Sequence, residues 1–260
     1  FDTGAALANL GNDFSDNNND WTVGAGFSIT LGANYDWMTD TPSNNHATLN
    51  PLSGETTLSN ANLTSLGLTS AYTSRVATQS IPHKAYFEAQ SNGAGATNHT
   101  IYSGVRPAAG PQLPPPANFP GQDALSYGVM MAYNNAILTP YHNNIASGQT
   151  VSQNYAATVV QVAVDYIDGK IWFGNGTDWC GGGDPATGTL PTYTFTPGTK
   201  MIPHLGHYHV STGHINFGQR PFAHIPPSGF MPICAENFPA DAVTLSGSFT
   251  GNANANGPLV

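Results

Sequence analysis

Apolar and polar residues alternate most clearly from Val160 to Tyr166. Val160, Val162, Val164 and Tyr166 share one phase, and Gln161, Ala163 and Asp165 the other. A period of two is the mark of a strand with unlike faces. Asp168-Gly169 then supplies a tight turn and Lys170–Phe173 returns, so the stretch predicts a β-hairpin. Similar runs at Tyr72–Ser80, Lys84–Gln90, Ile101–Arg106, Tyr127–Tyr133, Ala136–Leu138, Met201–Leu205 and His214–Phe217 predict further strands, as do Trp21–Leu31 and Ala242–Phe249. Turn residues separate the strands at roughly ten-residue intervals, the spacing of a β-sandwich. No stretch has a helical period of 3.6. The expected fold class is all-β, an antiparallel sandwich with Val160, Val162, Val164, Ile171, Phe173, Ile215 and Phe217 on the buried phase.

Composition adds that the surface is polar but weakly charged. Only 8% of the residues are Asp, Glu, Lys or Arg, and the net charge is −9. Asn, Thr, Ser and Gly supply the polarity, which leaves few surface ion pairs for salt to screen. Six scattered basic residues against this negative charge argue against nucleic acid as a partner. No apolar run approaches the roughly 18 residues of a membrane span, so membrane insertion is not expected. Cys180 and Cys234 are compatible with a disulfide or with two free thiols.

Two longer stretches carry a family resemblance. One is Asp168-Gly-Lys-Ile-Trp-Phe-Gly-Asn-Gly176, and the other is Ile215-Asn-Phe-Gly-Gln-Arg-Pro-Phe-Ala-His-Ile-Pro-Pro-Ser-Gly-Phe230. Upstream, Thr39-Asp-Thr-Pro-Ser-Asn-Asn-His-Ala-Thr-Leu-Asn-Pro-Leu52 leads to Leu58-Ser-Asn-Ala-Asn-Leu63. Together these resemble the SPRY domain in the version found in bacteriophage virion proteins. The resemblance spans residues 35–239. Residues 1–34, which are Gly-, Asn- and Asp-rich, read as an N-terminal arm or linker against a neighbouring subunit. Residues 240–260 read as the start of a following β segment or linker. Where the family usually carries two tryptophans, this chain reads His83-Lys-Ala-Tyr-Phe-Glu88.

The resemblance implies a binding module of a tail fibre, tail-associated or head fibre protein. It would be located on the virion and attach it to a host-surface glycan or protein. Other virion subunits, in a homo-oligomer such as a trimer, would be its neighbours. A purely structural decoration or adaptor protein is the alternative, and a polysaccharide depolymerase a further one. Candidate contact residues are the loop aromatics Trp179, Tyr141, Phe119 and Tyr193, with Asn175. Trp172, alternating with Phe173, reads as core. Arg220, held extended before Pro221, is expected to bond loop carbonyls.

Histidine is concentrated in His204-Leu-Gly-His-Tyr-His209. On a continuous strand His207 and His209 would share a face, a spacing that permits metal ligation. No Cys, Asp or Glu within the segment completes a shell, which favours hydrogen-bonded histidines instead. Asp36, Asp40, Asp165 and Asp168 could be read as a glycosidase pair, but they occupy turn and cap positions. No nucleophile elbow, zincin helix or phosphate-cradling loop is present, so neither catalysis nor a cofactor is expected.

Overall fold

The computed structural model describes residues 17, 19, 45–54, 56–68, 71–91, 99–109 and 118–238. The arm expected at 1–34, the strands expected at 21–31 and 242–249, the segment 240–260 and both Asp36 and Asp40 lie outside these residues.

Among the described residues fourteen strands run in chain order: β1 (Thr57–Ser59), β2 (Thr64–Leu66), β3 (Tyr72–Val76), β4 (Lys84–Ser91), β5 (Thr100–Pro107), β6 (Tyr127–Ala132), β7 (Ile137–His142), β8 (Ile145–Ala146), β9 (Val151–Ser152), β10 (Val159–Asp165), β11 (Lys170–Gly174), β12 (Tyr193–Thr194), β13 (Met201–Tyr208) and β14 (Thr212–Asn216). The first sheet has the order β1-β2-β14-β4-β10-β11-β12. The second has the order β3-β13-β5-β6-β7-β8, with β9 on β7. Every strand pair is antiparallel. Cys180–Gly182 and Ala235–Asn237 form single 3-10 turns.

The inner faces of both sheets meet in one core. Phe87, Val162, Ile171 and Phe173 of the first sheet pack in the same cluster as Ile101, Val105, Met131 and Leu205 of the second. All seven residues expected on the buried phase are buried, none more than 4% exposed. The alternate residues Gln161, Ala163 and Asp165 are buried as well, so the two faces of β10 differ in what they pack against and not in exposure. The hairpin itself is wider than a two-residue turn. β10 ends at Asp165, whose Oδ1 accepts from Asp168 N at 3.1 Å, and Asp165 pairs with Lys170 across the loop 166–169. Gly169 sits at φ +67°, where a side chain would also meet the Phe195 carbonyl at 2.1 Å.

The β1–β2 connection explains one part of the sequence pattern. Asn60, Ala61 and Asn62 all hold positive φ, at 57°, 52° and 60°. Asn tolerates this region better than most residues, and Ala61 is the strained member. Arg75, on β3, anchors the neighbouring segment. Its guanidinium donates to the carbonyls of Asn50, Pro51, Ser53 and Thr56.

Cys180 and Cys234 are buried thiols not joined in a disulfide, which closes the disulfide alternative. Burial pushes the Cys180 thiol up to about 12, so the thiolate is suppressed at neutral pH.

Candidate binding surface

The outer face of the second sheet is paved by small residues. Gly104 lies opposite both His204 and Gly128, and Gly206 lies opposite Tyr102. The segment 118–126 lies flat on this pavement: a Cβ on Gly128 would stand 2.1 Å from the Pro120 carbonyl oxygen, and one on Gly206 2.7 Å from the Pro120 ring. Asp123 ties the segment down. Its Oδ1 accepts from Leu125 N at 3.0 Å and Ser126 N at 2.7 Å, and its Oδ2 from Asn118 Nδ2 at 3.3 Å. Burial raises the Asp123 carboxyl, but these donors outweigh it and hold the group below the ordinary carboxylate range.

The segment brings Phe119 onto an aromatic cluster. Phe119 stacks on Tyr102 at 4.2 Å between ring centroids, and lies 4.9 Å from Tyr72 and 6.0 Å from Tyr141. Tyr72 in turn lies 4.6 Å from Tyr208. Phe119 and Tyr102 are buried, whereas Tyr72, Tyr141 and Tyr208 are half-buried. Two expected contact residues, Phe119 and Tyr141, thus come together. Of the other rings of the cluster, Tyr208 is also a sugar-stacking candidate by sequence, whereas Tyr72 and Tyr102 fall within predicted strands and carry no such signal.

The remaining candidates lie elsewhere. Asn175 shapes its own turn: its Oδ1 accepts from Thr177 N at 2.9 Å and Asp178 N at 2.7 Å. Trp179 packs against a second cluster of Tyr86, Ala163, Trp172 and Phe230 on the outer face of the first sheet. Trp172 is fully buried there, and its indole donates to the Thr189 carbonyl at 2.9 Å. Tyr193 sits at the sandwich edge, 5.7 Å from Tyr127 and 5.8 Å from His142. Arg220 donates to Asn60 Oδ1 at 2.8 Å.

The histidines depart from the metal reading. β13 ends at Tyr208, and His209 lies beyond it at φ +60°, so the alternation that would place His207 and His209 on one face stops short. His207 is fully buried between the sheets, with Nδ1 3.2 Å from Ser211 Oγ and Nε2 3.0 Å from Ser65 Oγ. Both ring nitrogens are occupied, which leaves none for a metal. Among the described residues no three His, Cys, Asp or Glu side chains converge on a common point.

Burial lowers His204 and His207 to about 3 each. The sign follows from linkage. Both stay neutral when folded, while the unfolded chain protonates them near their ordinary value of about 6.5. Their contribution is therefore present above about pH 6.5 and is lost as pH falls toward 3. We expect the thermal midpoint to fall steadily from pH 6.5 to 4. His207→Asn should flatten that slope, and a midpoint independent of pH over this range would contradict the burial of both rings.

Five of the described carboxylates, Asp123, Asp165, Asp168, Asp184 and Glu88, have structural partners. Asp165 pairs with Lys84 at 3.0 Å, and Asp168 lies 3.7 Å from Lys170. Glu88 accepts from Tyr86 OH, Ala223 N and His224 N at 2.8–2.9 Å. Asp184 caps its own turn through Ala186 N at 3.0 Å.

Among solved structures the chain is similar to SPRY domains. The TRIM65 PSpry domain matches with a TM-score of 0.46 and 17% identity, covering 66% of this chain and 89% of that one. The SPRY domain of human HERC1 matches with a TM-score of 0.48 and 12% identity, covering 66% and 99%. A further human SPRY domain matches with a TM-score of 0.45 and 15% identity, covering 65% and 99%. No protein-family model matches the chain, and no curated protein matches it.

Proposed function

We propose that this chain is a non-catalytic binding module of a bacteriophage particle, with a SPRY-like sandwich that attaches the virion to a host-surface glycan. The observation that carries the binding reading is the aromatic face formed by Phe119, Tyr141, Tyr72, Tyr102 and Tyr208. Half-buried tyrosines around a stacked, buried pair form a rigid apolar platform with hydroxyls at its rim, a surface suited to sugar rings. The phage and virion part of the reading rests on the resemblance carried by residues 39–63, 168–176 and 215–230. In such a particle the domain would work within a homo-oligomer and beside other virion subunits. The binding reading is further supported by Asp165 and Glu88, whose oxygens are engaged by Lys84, backbone amides and a tyrosine hydroxyl.

The test is attachment of particles carrying Tyr141→Ala together with Tyr208→Ala. Both side chains are half-buried on the outer face, so the fold should survive with a small shift in melting temperature. Attachment should weaken by at least about tenfold, the effect of losing two stacking contacts of roughly 1 kcal/mol each. Unchanged attachment would favour a structural adaptor role. Release of sugar fragments from host polysaccharide by the isolated domain would identify a depolymerase.

A further inference from the structure

On the opposite side of the molecule, the outer face of the first sheet is only partly covered. Phe222 and Phe230 lie over its lower rows, against Tyr86, Ala163 and Trp172. Among the described residues, none lies over the row above them. That row is set by strand register: Thr64 opposite His214, His214 opposite Gln90, and Gln90 opposite Val159. The β1–β2 turn bounds this row on one side and the segment Arg220–Ala223 on the other. Between them is a groove of about 300 Å³, the small end of the range for ligand sites and room for about one sugar ring.

A chain of hydrogen bonds fixes the polarity of one wall. Arg220 Nη2 donates to Asn60 Oδ1 at 2.8 Å, which orients the Asn60 amide. Asn60 Nδ2 then donates to Thr64 Oγ1 at 3.2 Å. Thr64 Oγ1 lies 2.8 Å from His214 Nδ1. Thr64 Oγ1 accepts from Asn60 and can give its own hydrogen to His214 Nδ1. The imidazole proton is then on Nε2, the atom away from Thr64. Burial and the neighbouring Arg220 both lower His214, in keeping with a neutral ring. The groove wall is therefore donor-rich: an imidazole N–H, the Gln90 amide and a guanidinium. Asn60 holds this end of the relay from a left-handed backbone at φ 57°, within a run of three such residues. Strained backbone of this kind persists only where its surroundings hold it, and it concentrates at ligand clamps.

The chemistry of the opposite end differs. Glu88 lines it, but its two oxygens accept from Tyr86 OH, Ala223 N and His224 N. Its charge is turned into these donors. Asn216, opposite Glu88, is spent on holding the segment in place: its Nδ2 donates to the Arg220 and Pro221 carbonyls at 3.2 Å each, and its Oδ1 accepts from Gly218 N at 3.0 Å. The donors of Arg220, Gln90 and His214 at one end suit a carboxylate, and the Gln90 amide oxygen is left to accept from a neighbouring hydroxyl.

We propose that this groove is a second ligand site that takes an acidic sugar, with the carboxylate held by Arg220, Gln90 and His214 Nε2–H. It lies on the other sheet from the aromatic face and does not depend on it.

The probes are D-glucuronate, D-glucose and acetate at matched ionic strength, read by isothermal titration and by amide chemical shifts of the whole chain. Glucuronate should bind saturably, with shifts centred on Gln90, His214 and Arg220, and glucose at least about tenfold more weakly, since it lacks the charge-assisted bonds. Gln90→Ala removes a half-buried side chain and should leave the melting temperature unchanged, while weakening glucuronate by about fivefold or more. Arg220→Met should abolish binding. If that variant fails to fold, Gln90→Ala still decides. Tyr141→Ala with Tyr208→Ala should bind glucuronate as the parent does, which separates this site from the aromatic face. Equal binding of glucose and glucuronate, displacement of glucuronate by an equal concentration of acetate, or unaltered binding by Gln90→Ala would each overturn the assignment.

Discussion

Exchanging Gly174–Thr189 for a short Gly-Ser loop should destabilise the protein by about 5 kcal/mol, enough to unfold a domain of ordinary stability. From its composition this stretch reads as a recognition loop that could be replaced without harm to the fold. Its geometry says otherwise. Cys180 is buried in the main core, and Trp179 packs on the cluster that encloses Trp172. Thr189 supplies the carbonyl that satisfies the buried Trp172 indole N–H. Gly183 permits the close approach, because a Cβ there would stand 2.7 Å from the Trp172 ring. Removing the loop exposes much of an indole and orphans its donor, and both losses fall on a side chain that is otherwise completely enclosed. The measurement is urea unfolding of the loop-exchanged protein beside a milder variant, Trp179→Ala. The milder variant should lose about 2–3 kcal/mol, less than a fully buried tryptophan would. A loop exchange that melts with the parent would restore the reading of 174–189 as a replaceable recognition loop.

The contrast shows what a sequence reading can reach. β10 and β11 were legible because one face of their hairpin is uniformly apolar and buried, so periodicity alone sets the phase. β13 was read as ending at Leu205, since Gly206 interrupts the pattern. In the structure it continues to Tyr208, because Gly206 is needed for the close approach of Phe119 and Pro120. The pairs β8 and β9 and the strand β12 are two residues long and have no period to detect. The aromatic face was only half visible. Phe119 and Tyr141 stood out as loop aromatics, but Tyr72, Tyr102 and Tyr208 join them through strand register, with Tyr208 opposite both Tyr72 and Thr100. Register depends on long-range pairing, and nothing local encodes it. The groove on the first sheet was hidden for the same reason. Thr64, His214, Gln90 and Val159 are far apart in the chain and adjacent only across strands.

Arg75→Met should cost about 3–4 kcal/mol, a larger effect than any surface charge reversal in this chain would have. Nothing in the sequence distinguished Arg75 from the other scattered basic residues. In the fold it is 7% exposed and serves as the hub of segment 50–56. Nη1 donates to Asn50 O at 3.1 Å, Pro51 O at 2.8 Å and Ser53 O at 3.1 Å, and Nε to Thr56 O at 3.0 Å and Thr56 Oγ1 at 2.8 Å. Thr56 Oγ1 is in turn 2.8 Å from Ser65 Oγ, which lies 3.0 Å from His207 Nε2. One guanidinium thus fixes a loop and terminates a polar chain that links the two sheets. Methionine preserves most of the aliphatic packing but takes the guanidinium away from the buried Ser53 and Thr56 carbonyls, a penalty of roughly 1–3 kcal/mol for each that water cannot reach; Asn50 O keeps Ser53 N as a donor. Arg75→Lys should recover less than half of the loss, because a single ammonium cannot span carbonyls that the planar fork reaches together. Denaturant midpoints of both variants decide the matter, with proteolysis near residues 50–56 as an independent reading of local opening. A methionine variant within about 1 kcal/mol of the parent would show that solvent satisfies these carbonyls and that the segment is held by packing alone.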